Sequence, residues 1–244
     1  MANYNYKKSK HKVLAVIPAR GGSKGIPKKN LYNLAGKPLI YYSLSACQES
    51  KLITDIIVTT DSLEIKNTVE NYGLEVPFMR PKKLATDDAL AIPTVIHSVK
   101  KMEKLKNKKY DYVIMIQPTA PLRTAKDIDD SLELLFMEGT DSIISIVDVD
   151  NYHPIKMKII NKNRLFDFQD SDLENPPRQS LPKVYIVNGA IYATKRNVLI
   201  DNETFKGKSC LPFFMPQERS VNIDNISDFI VAEYYLSLDG EIDK

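Results

Sequence analysis

Short apolar runs alternate with stretches of helical spacing from residue 13 onward, and this alternation constrains the fold more than any other feature of the chain. "VLAVI" (13–17) has the character of a buried strand, as do "ITDIIVTT" (53–60), "YVIMI" (112–116) and "SIISIVDV" (142–149). Between them, residues 37–50 carry helical spacing with Pro38 near the start. Residues 62–73 run from a capping serine to a glycine stop, residues 89–105 take Pro93 in their first turn, and residues 125–138 give a further helix. "LEVPFM" (74–79) fits a third, short strand. A βαβα order predicts an α/β fold, a mostly parallel sheet covered by helices. Ligands in such folds sit beyond the carboxyl ends of the strands, which is where the polar segments of this chain fall.

The pattern changes after Asp150. "IKMKII", a turn through 161–164 and the polar "DFQDSDLENPPRQSLPK" predict a hairpin and a long excursion. "VYIVNGAIYAT" (184–194) then returns to strand character, and 226–238 has helical spacing. The expected organisation is a polar, flexible leader at 1–12 and one domain over 13–244, with an inserted lobe at about 150–185.

Composition narrows the function. The chain has 244 residues, 34 basic and 31 acidic, for a formal charge of +3. Four of the lysines (Lys7, Lys8, Lys10, Lys12) lie in the leader, and the rest of the chain has 30 basic against 31 acidic residues. Binding to nucleic acid needs many cations on one face, so no nucleic-acid partner is expected. No apolar run approaches the roughly 18 residues needed to span a bilayer, and the leader lacks the apolar core of a signal peptide. No membrane partner and a cytoplasmic location are therefore expected. Cys47 and Cys210 form no CxxC element, and His11, His97 and His153 share no ligand spacing. Any metal should be a hard ion held by oxygen.

The first strand runs directly into "PARGGSKGIPKKN" (18–30). Gly21, Gly22 and Gly25 allow close backbone approach to an anion, and Arg20, Lys24, Lys28 and Lys29 supply positive charge. The run matches neither GxxxxGK[ST] nor GxGxxG, so it supports neither ATP hydrolysis nor nicotinamide binding. Read from composition alone, it is either a phosphate cradle or a glycine-rich turn with solvated lysines. "PLR" after an apolar strand places Arg123 at a strand's carboxyl end, suited to an anion or to a surface loop. Arg178, in a proline-stiffened loop, suits a carboxylate held bidentately or again plain solvent.

Taken in order, "IPARGGSKGIPKKN", "RPKKLATDDA", "QPTAPLRT", "NPPRQSLP" and "NGAIYAT" resemble the acylneuraminate cytidylyltransferases, the synthetases of CMP-sialic acid and related CMP-nonulosonic acids. The resemblance implies a Rossmann-like, three-layer nucleotidyltransferase fold with a mostly parallel sheet and a small inserted dimerisation lobe. It implies a homodimer in which the partner's lobe helps close the sugar site. Ala19, Arg20, Gly22, Lys24, Lys29 and Asn30 correspond to the phosphate loop that holds the CTP triphosphate. Arg80, Ala85, Asp87 and Ala89 correspond to the segment that reads cytosine. Gln117 and Arg123 correspond to the floor between nucleotide and sugar, and Lys156, Arg178, Gln179 and Asn188 to the sugar-acid side.

Two positions depart from the family pattern. An Asp-x-Asp pair often binds Mg2+ near the carboxyl terminus, whereas this chain has "SVNIDN", with Asn222 and Asp224 as the corresponding metal positions. Residues two apart on an extended segment face the same way, and an asparagine carbonyl is a legitimate but uncharged ligand. Related enzymes can carry an arginine two residues before the asparagine of "NGAIY"; here it is Ile186, which predicts an apolar wall suited to a 9-deoxy sugar such as a legionaminic acid derivative.

The implied reaction is CTP plus a nonulosonic acid giving CMP-sugar and pyrophosphate, with Arg20, Lys24 and Lys29 as cationic clamps and Asp224 organising deprotonation of the nucleophile. Transfer to Kdo or to a sugar phosphate, and a nucleotide-binding homologue without turnover, stand as alternatives.

Overall fold

The computed structural model describes residues 10–23, 25–169 and 177–242; for Arg178 and residues 239–242 the description is of the backbone alone. Val13–Pro18 forms β1, and a short hairpin of β2 (Asn33–Leu34) and β3 (Lys37–Pro38) leads into α1 (Leu39–Glu49). Then follow β4 (Asp55–Thr59), α2 (Leu63–Asn71), α3 (Ala91–Lys106), β5 (Tyr112–Met115), α4 (Ala125–Glu138) and β6 (Ser142–Asp148). The chain closes with β7 (Lys158–Asn161), β8 (Arg164–Asp167), β9 (Tyr185–Lys195), α5 (Arg196–Asn202), β10 (Cys210–Phe214) and α6 (Ile226–Ile242).

The central sheet has six strands in the order β10-β6-β9-β5-β1-β4. β1 pairs in parallel with both β4 and β5, and β10 with β6, while β9 runs antiparallel to β5 and β6 on either side of it. The expected mostly parallel sheet is therefore present, with one reversed strand in its middle.

Unbroken apolar sequence in β1 follows from burial on both faces. Val13, Ala15 and Ile17 pack with Ile40 and Leu44 of α1 and Ile128 and Leu132 of α4. Leu14 and Val16 pack the other way, with Val95 and Val99 of α3 and Leu199 of α5. Helix, sheet and helix make three layers, as expected. Helix ends obey local chemistry: Ser62 Oγ accepts from the Ile65 N–H at the start of α2, and Thr124 with Asp127 forms a capping box on α4. Cys47 lies in the core and Cys210 on β10, both as free thiols. Burial pushes the Cys47 thiol up to about 12.

Two sequence expectations change, and one strand has no counterpart in the sequence reading. Residues 74–79 do not join the sheet: Val76 is buried, but Pro77 removes a ladder donor, and β4 is left as the edge strand. The helix expected over 37–50 begins at Leu39, because Lys37 and Pro38 pair with Leu34 and Asn33 in the small hairpin. β10 escapes a periodicity reading because Pro212 interrupts it; an edge position tolerates that proline.

Between β6 and β9 the chain forms the expected hairpin. Its turn residues Lys162 and Asn163 have φ of 48° and 60°, the mirror-image turn geometry that matches strand twist. Every residue of β7 and β8 is exposed. At its base, His153 Nδ1 accepts the Ile155 N–H at 3.2 Å, so Nε2 carries the proton and donates to the carbonyl of Pro182 at 3.1 Å. No helix among the described residues is long and apolar enough to cross a membrane.

Candidate active site

The chain leaves β1 for β4 on one side and returns to β5 on the other, so the sheet has a topological switch point beside β1, the crevice where open α/β sheets bind ligands. A cavity of about 260 Å³ opens there. The loop after β1 lines it with Arg20, Gly22, Lys29 and Asn30, a second segment with Arg80, Ala89, Leu90 and Thr94, and the loop after β5 with Gln117, Pro118 and Thr119.

Close approach explains two of the glycines. The Gly21 N–H donates to Asp61 Oδ1 at 2.9 Å, and a Cβ at Gly21 would stand 2.9 Å from Ser62 Cβ. A Cβ at Gly25 would lie 3.0 Å from the Asp224 carbonyl oxygen. Ile26 anchors the loop in a small apolar cluster with Leu34, Leu122, Ile223 and Phe229. Asn30 Nδ2 donates to the Arg20 carbonyl at 2.9 Å and braces the loop from within. Ala19 is wholly buried and bonds its N–H to Thr59, so its side chain packs in the core and is no part of the wall. Lys28 turns to Glu64 at 2.7 Å on the surface, and Lys24 lies outside the described residues.

The loop's cations hold carboxylates and carbonyls. Arg20 donates to the Thr86 carbonyl at 2.7 Å and pairs with Asp87 at 3.0 Å, tying the glycine loop to the segment expected to read the base. Lys29 Nζ lies 3.1 Å from Asp224 Oδ1 and 2.8 Å from the Ile223 carbonyl oxygen. Arg80 is buried, bonded to the Thr59 hydroxyl and carbonyl at the end of β4. Burial lowers its pKa to about 10, Asp61 opposing the shift and Arg20 adding to it, so it stays protonated at neutral pH.

The expected sugar side divides. Gln117 lines the cavity. Arg123 does not: it is 2% exposed, and its guanidinium donates to the carbonyls of Ala190, Gln117 and Ala120 and to the Ser43 hydroxyl. Burial lowers its pKa to about 10, with Cys47 and Asp127 opposing. The placement corrects the expectation from floor contact to support beneath the floor. Asn188 is corrected likewise: its amide accepts from Ser145 Oγ at 2.6 Å and donates to Ser220 Oγ at 2.9 Å, joining β9 to β6 and to the segment before α6. Gln179 lies beside a separate recess with Asp148, Asp150 and His153, Lys156 is exposed in the turn before β7, and the Arg178 side chain lies outside the description. Within one chain the structure does not bring Lys156 or Gln179 to the cavity. Ile186 is 55% exposed and lines a shallow recess with Tyr152 and Met157, so it forms no wall of the main cavity.

Asp61 and Ser62, which shape the glycine loop, and Gly189, which lies beneath Gln117 and Asn222, were not singled out from sequence. The signal for the first two was available, since "TTDS" follows a parallel strand at the same edge as the glycine loop.

A hard divalent ion finds a partial donor set. Asp224 is exposed, its carboxylate held by Lys29, while the Asn222 amide nitrogen is turned toward Gly189. Among the described residues no three His, Cys, Asp or Glu side chains gather to make a self-sufficient metal centre. One carboxylate fits magnesium only when a polyphosphate supplies further oxygens.

A three-layer sheet with a cationic glycine loop at its switch point defines a nucleotide-binding α/β protein of the nucleotidyltransferase type. The sequence profile of the cytidylyltransferase family matches residues 14–208, and the chain belongs to that family. It is 33% identical to the CMP-N,N'-diacetyllegionaminic acid synthase of Legionella pneumophila, over 94% of this chain and 98% of that one. It is 31% identical to the N-acylneuraminate cytidylyltransferase of Escherichia coli O18:K1:H7, over 91% of this chain and 51% of that longer one. A solved structure of CMP:2-keto-3-deoxy-manno-octonic acid synthetase complexed with CTP shares the fold, with TM-score 0.70 at 18% identity, covering 93% of this chain and 99% of that one.

Proposed function

We propose that the protein transfers CMP from CTP to the anomeric hydroxyl of a nonulosonic acid, releasing pyrophosphate. The observation that carries this reading is one cavity lined both by the glycine loop's Arg20 and Lys29 and by Arg80, Ala89 and Thr94, in a chain of the cytidylyltransferase family. The first group suits a triphosphate and the second a base.

In the transfer, the C2 hydroxyl oxygen of the sugar acid attacks the α-phosphorus in line. A new P–O bond forms, the bond to the β-phosphate oxygen breaks, and the hydroxyl proton leaves to a base or water. No covalent protein intermediate is needed, so the protein's part is alignment and charge neutralisation. Arg20 and Lys29 exchange their carboxylate partners for phosphate oxygens, and the bare backbone of Gly22 on the cavity wall lets the anion come close. Arg80 holds the base-side loop to the end of β4. Magnesium, when bound, shields charge on the phosphates; Asp224 is the residue that would hold it.

A diacetylated legionaminic acid is the favoured acceptor, because the similar Legionella protein is a CMP-N,N'-diacetyllegionaminic acid synthase. We further propose that the enzyme works as a homodimer, since a hairpin exposed on both faces needs a cover and Lys156 and Gln179 lie apart from the cavity of their own chain. Pyrophosphate release from CTP, ATP, GTP and UTP with a panel of neuraminic, legionaminic and pseudaminic acid derivatives and Kdo tests the reading. CTP with a nonulosonic acid should give the highest kcat/KM. Absence of release with every acid, or a clear preference for Kdo or a sugar phosphate, overturns it.

A further inference from the structure

Gly189 sits within β9 at φ +79°, a backbone region that disfavours any side chain. Gly73 has nearly the same angle, +82°, yet a Cβ there would meet nothing within 4 Å. At Gly189 the added carbon would stand 2.5 Å from Asn222 Nδ2 and 2.8 Å from Gln117 Oε1. Two amides from distant segments therefore converge over the bare backbone of this one residue.

The backbone around them is held firmly. Arg123 donates to the Gln117 carbonyl at 3.1 Å and to that of Ala190, the neighbour of Gly189, at 3.1 Å. The Ile223 N–H, next to Asn222, donates to the Thr119 carbonyl at 2.7 Å. With all three segments fixed, a side chain at residue 189 has no room unless the amides move. Gln117 lines the cavity, so such a movement reaches the site.

We propose that Gly189 is a positioning residue for the acceptor half of the site. Its missing side chain is the space in which the Gln117 and Asn222 amides meet, and together they present an uncharged donor and acceptor edge to the hydroxyl groups of the sugar acid. The inference rests on the sugar-acid reading above. It also gives Asn222 a role beside Gln117 in place of the metal position that its sequence context implies.

The test compares Gly189→Ala with Gly73→Ala, which carries the same backbone strain without the collision. Gly189→Ala should lower kcat/KM for the sugar acid by about tenfold or more while leaving the Kd for CTP within about twofold; Gly73→Ala should change neither. In an Asn222→Ala, Gln117→Ala background the glycine substitution should cost almost nothing further, because its collision partners are gone. Equal loss of CTP and sugar-acid binding, or the same fold-loss in both backgrounds, overturns the proposal. If Gly189→Ala alone fails to fold, recovery of folded protein in the triple variant supports the collision, and failure there overturns it. A wild-type enzyme inactive with every sugar acid sinks the function but still leaves a readout. The side-chain amide resonances of Gln117 and Asn222 should shift in Gly189→Ala and stay in place in Gly73→Ala; unmoved resonances overturn the positioning role.

Discussion

Lys29 Nζ and Asp224 Oδ1 lie 3.1 Å apart, joining the loop after β1 to the segment before α6 across 195 positions of sequence. The lysine side chain, on the cavity wall, is 14% exposed and the carboxylate 80%, so the carboxylate of the pair faces outward. A triphosphate arriving at Lys29 competes with Asp224 for the same ammonium. The exchange would release the carboxylate at the place where the phosphates need a counter-ion.

Asp224→Ala should therefore act on metal use more than on nucleotide affinity. The magnesium concentration giving half-maximal rate should rise and kcat should fall by about 100-fold, the order of a lost transition-state contact, while CTP binding without metal stays level or tightens. Excess chelator should abolish turnover of the wild type. A variant with wild-type magnesium dependence would remove Asp224 from the metal site, and full wild-type activity in chelator would remove the metal.

Arg20 and Asp87 make the second such pair, at 3.0 Å. Arg20→Ala should reduce kcat/KM for CTP by about 100-fold, about 2.7 kcal/mol. Asp87→Asn separates two roles for the carboxylate. If Asp87 serves to hold Arg20 until phosphate displaces it, its removal should tighten CTP binding by about two- to fivefold, in line with the modest worth of a part-exposed ion pair. A Kd that weakens instead would show that Asp87 contacts the nucleotide itself. Titration calorimetry with CTP reads both outcomes.

The sequence made much of this site legible because strand ends and glycine loops have short-range chemistry. "VLAVI" followed by "PARGG" marks a strand's carboxyl end wherever it occurs, and the structure puts Arg20, Gly22, Lys29 and Asn30 on the cavity wall. Tertiary burial was less readable. "PLR" looks the same whether its arginine faces a ligand or runs beneath the floor, and the carbonyls that capture Arg123 come from as far away as Ala190. The environment of Asn188 is hidden for the same reason, since Ser145 and Ser220, its partners, are 43 and 32 positions distant. The apolar wall that the family resemblance implies at Ile186 is not on the main cavity either, and the register between β6 and β9 shifts between Ile144 and Ile146, near the residues that pair with this part of β9.

Arg123→Met should show in stability before it shows in chemistry. The substitution keeps an apolar stem but leaves the carbonyls of Ala190, Gln117 and Ala120 short of a buried donor. Each unsatisfied buried group costs on the order of 1–3 kcal/mol, and losses of about 2–4 kcal/mol in urea unfolding are expected after local relaxation. Unfolding indistinguishable from wild type, together with a large rise in the KM for the sugar acid, would return Arg123 to direct ligand contact.

The exposed hairpin yields the prediction with the widest consequence. Ile159, Ile160, Leu165 and Phe166 are 52%, 76%, 66% and 49% exposed, and Phe168 beyond them is 62% exposed. A two-stranded hairpin is at best marginally stable alone in water, and side chains of this size are costly to leave wet on both faces. A second copy of the chain would cover them and carry Lys156 and Gln179 toward a neighbouring cavity. Light scattering at micromolar concentration should give twice the chain mass of 27.7 kDa. Ile160→Lys with Phe166→Glu should convert the protein to a monomer, because burying either charge at an apolar interface is strongly unfavourable. The glycine loop and the Arg80 wall belong to the chain's own core, so the monomer should bind CTP within about threefold of wild type. Its kcat/KM for the sugar acid should fall by about tenfold or more if the partner completes that half of the site. A monomer with full turnover would confine the whole reaction to one chain.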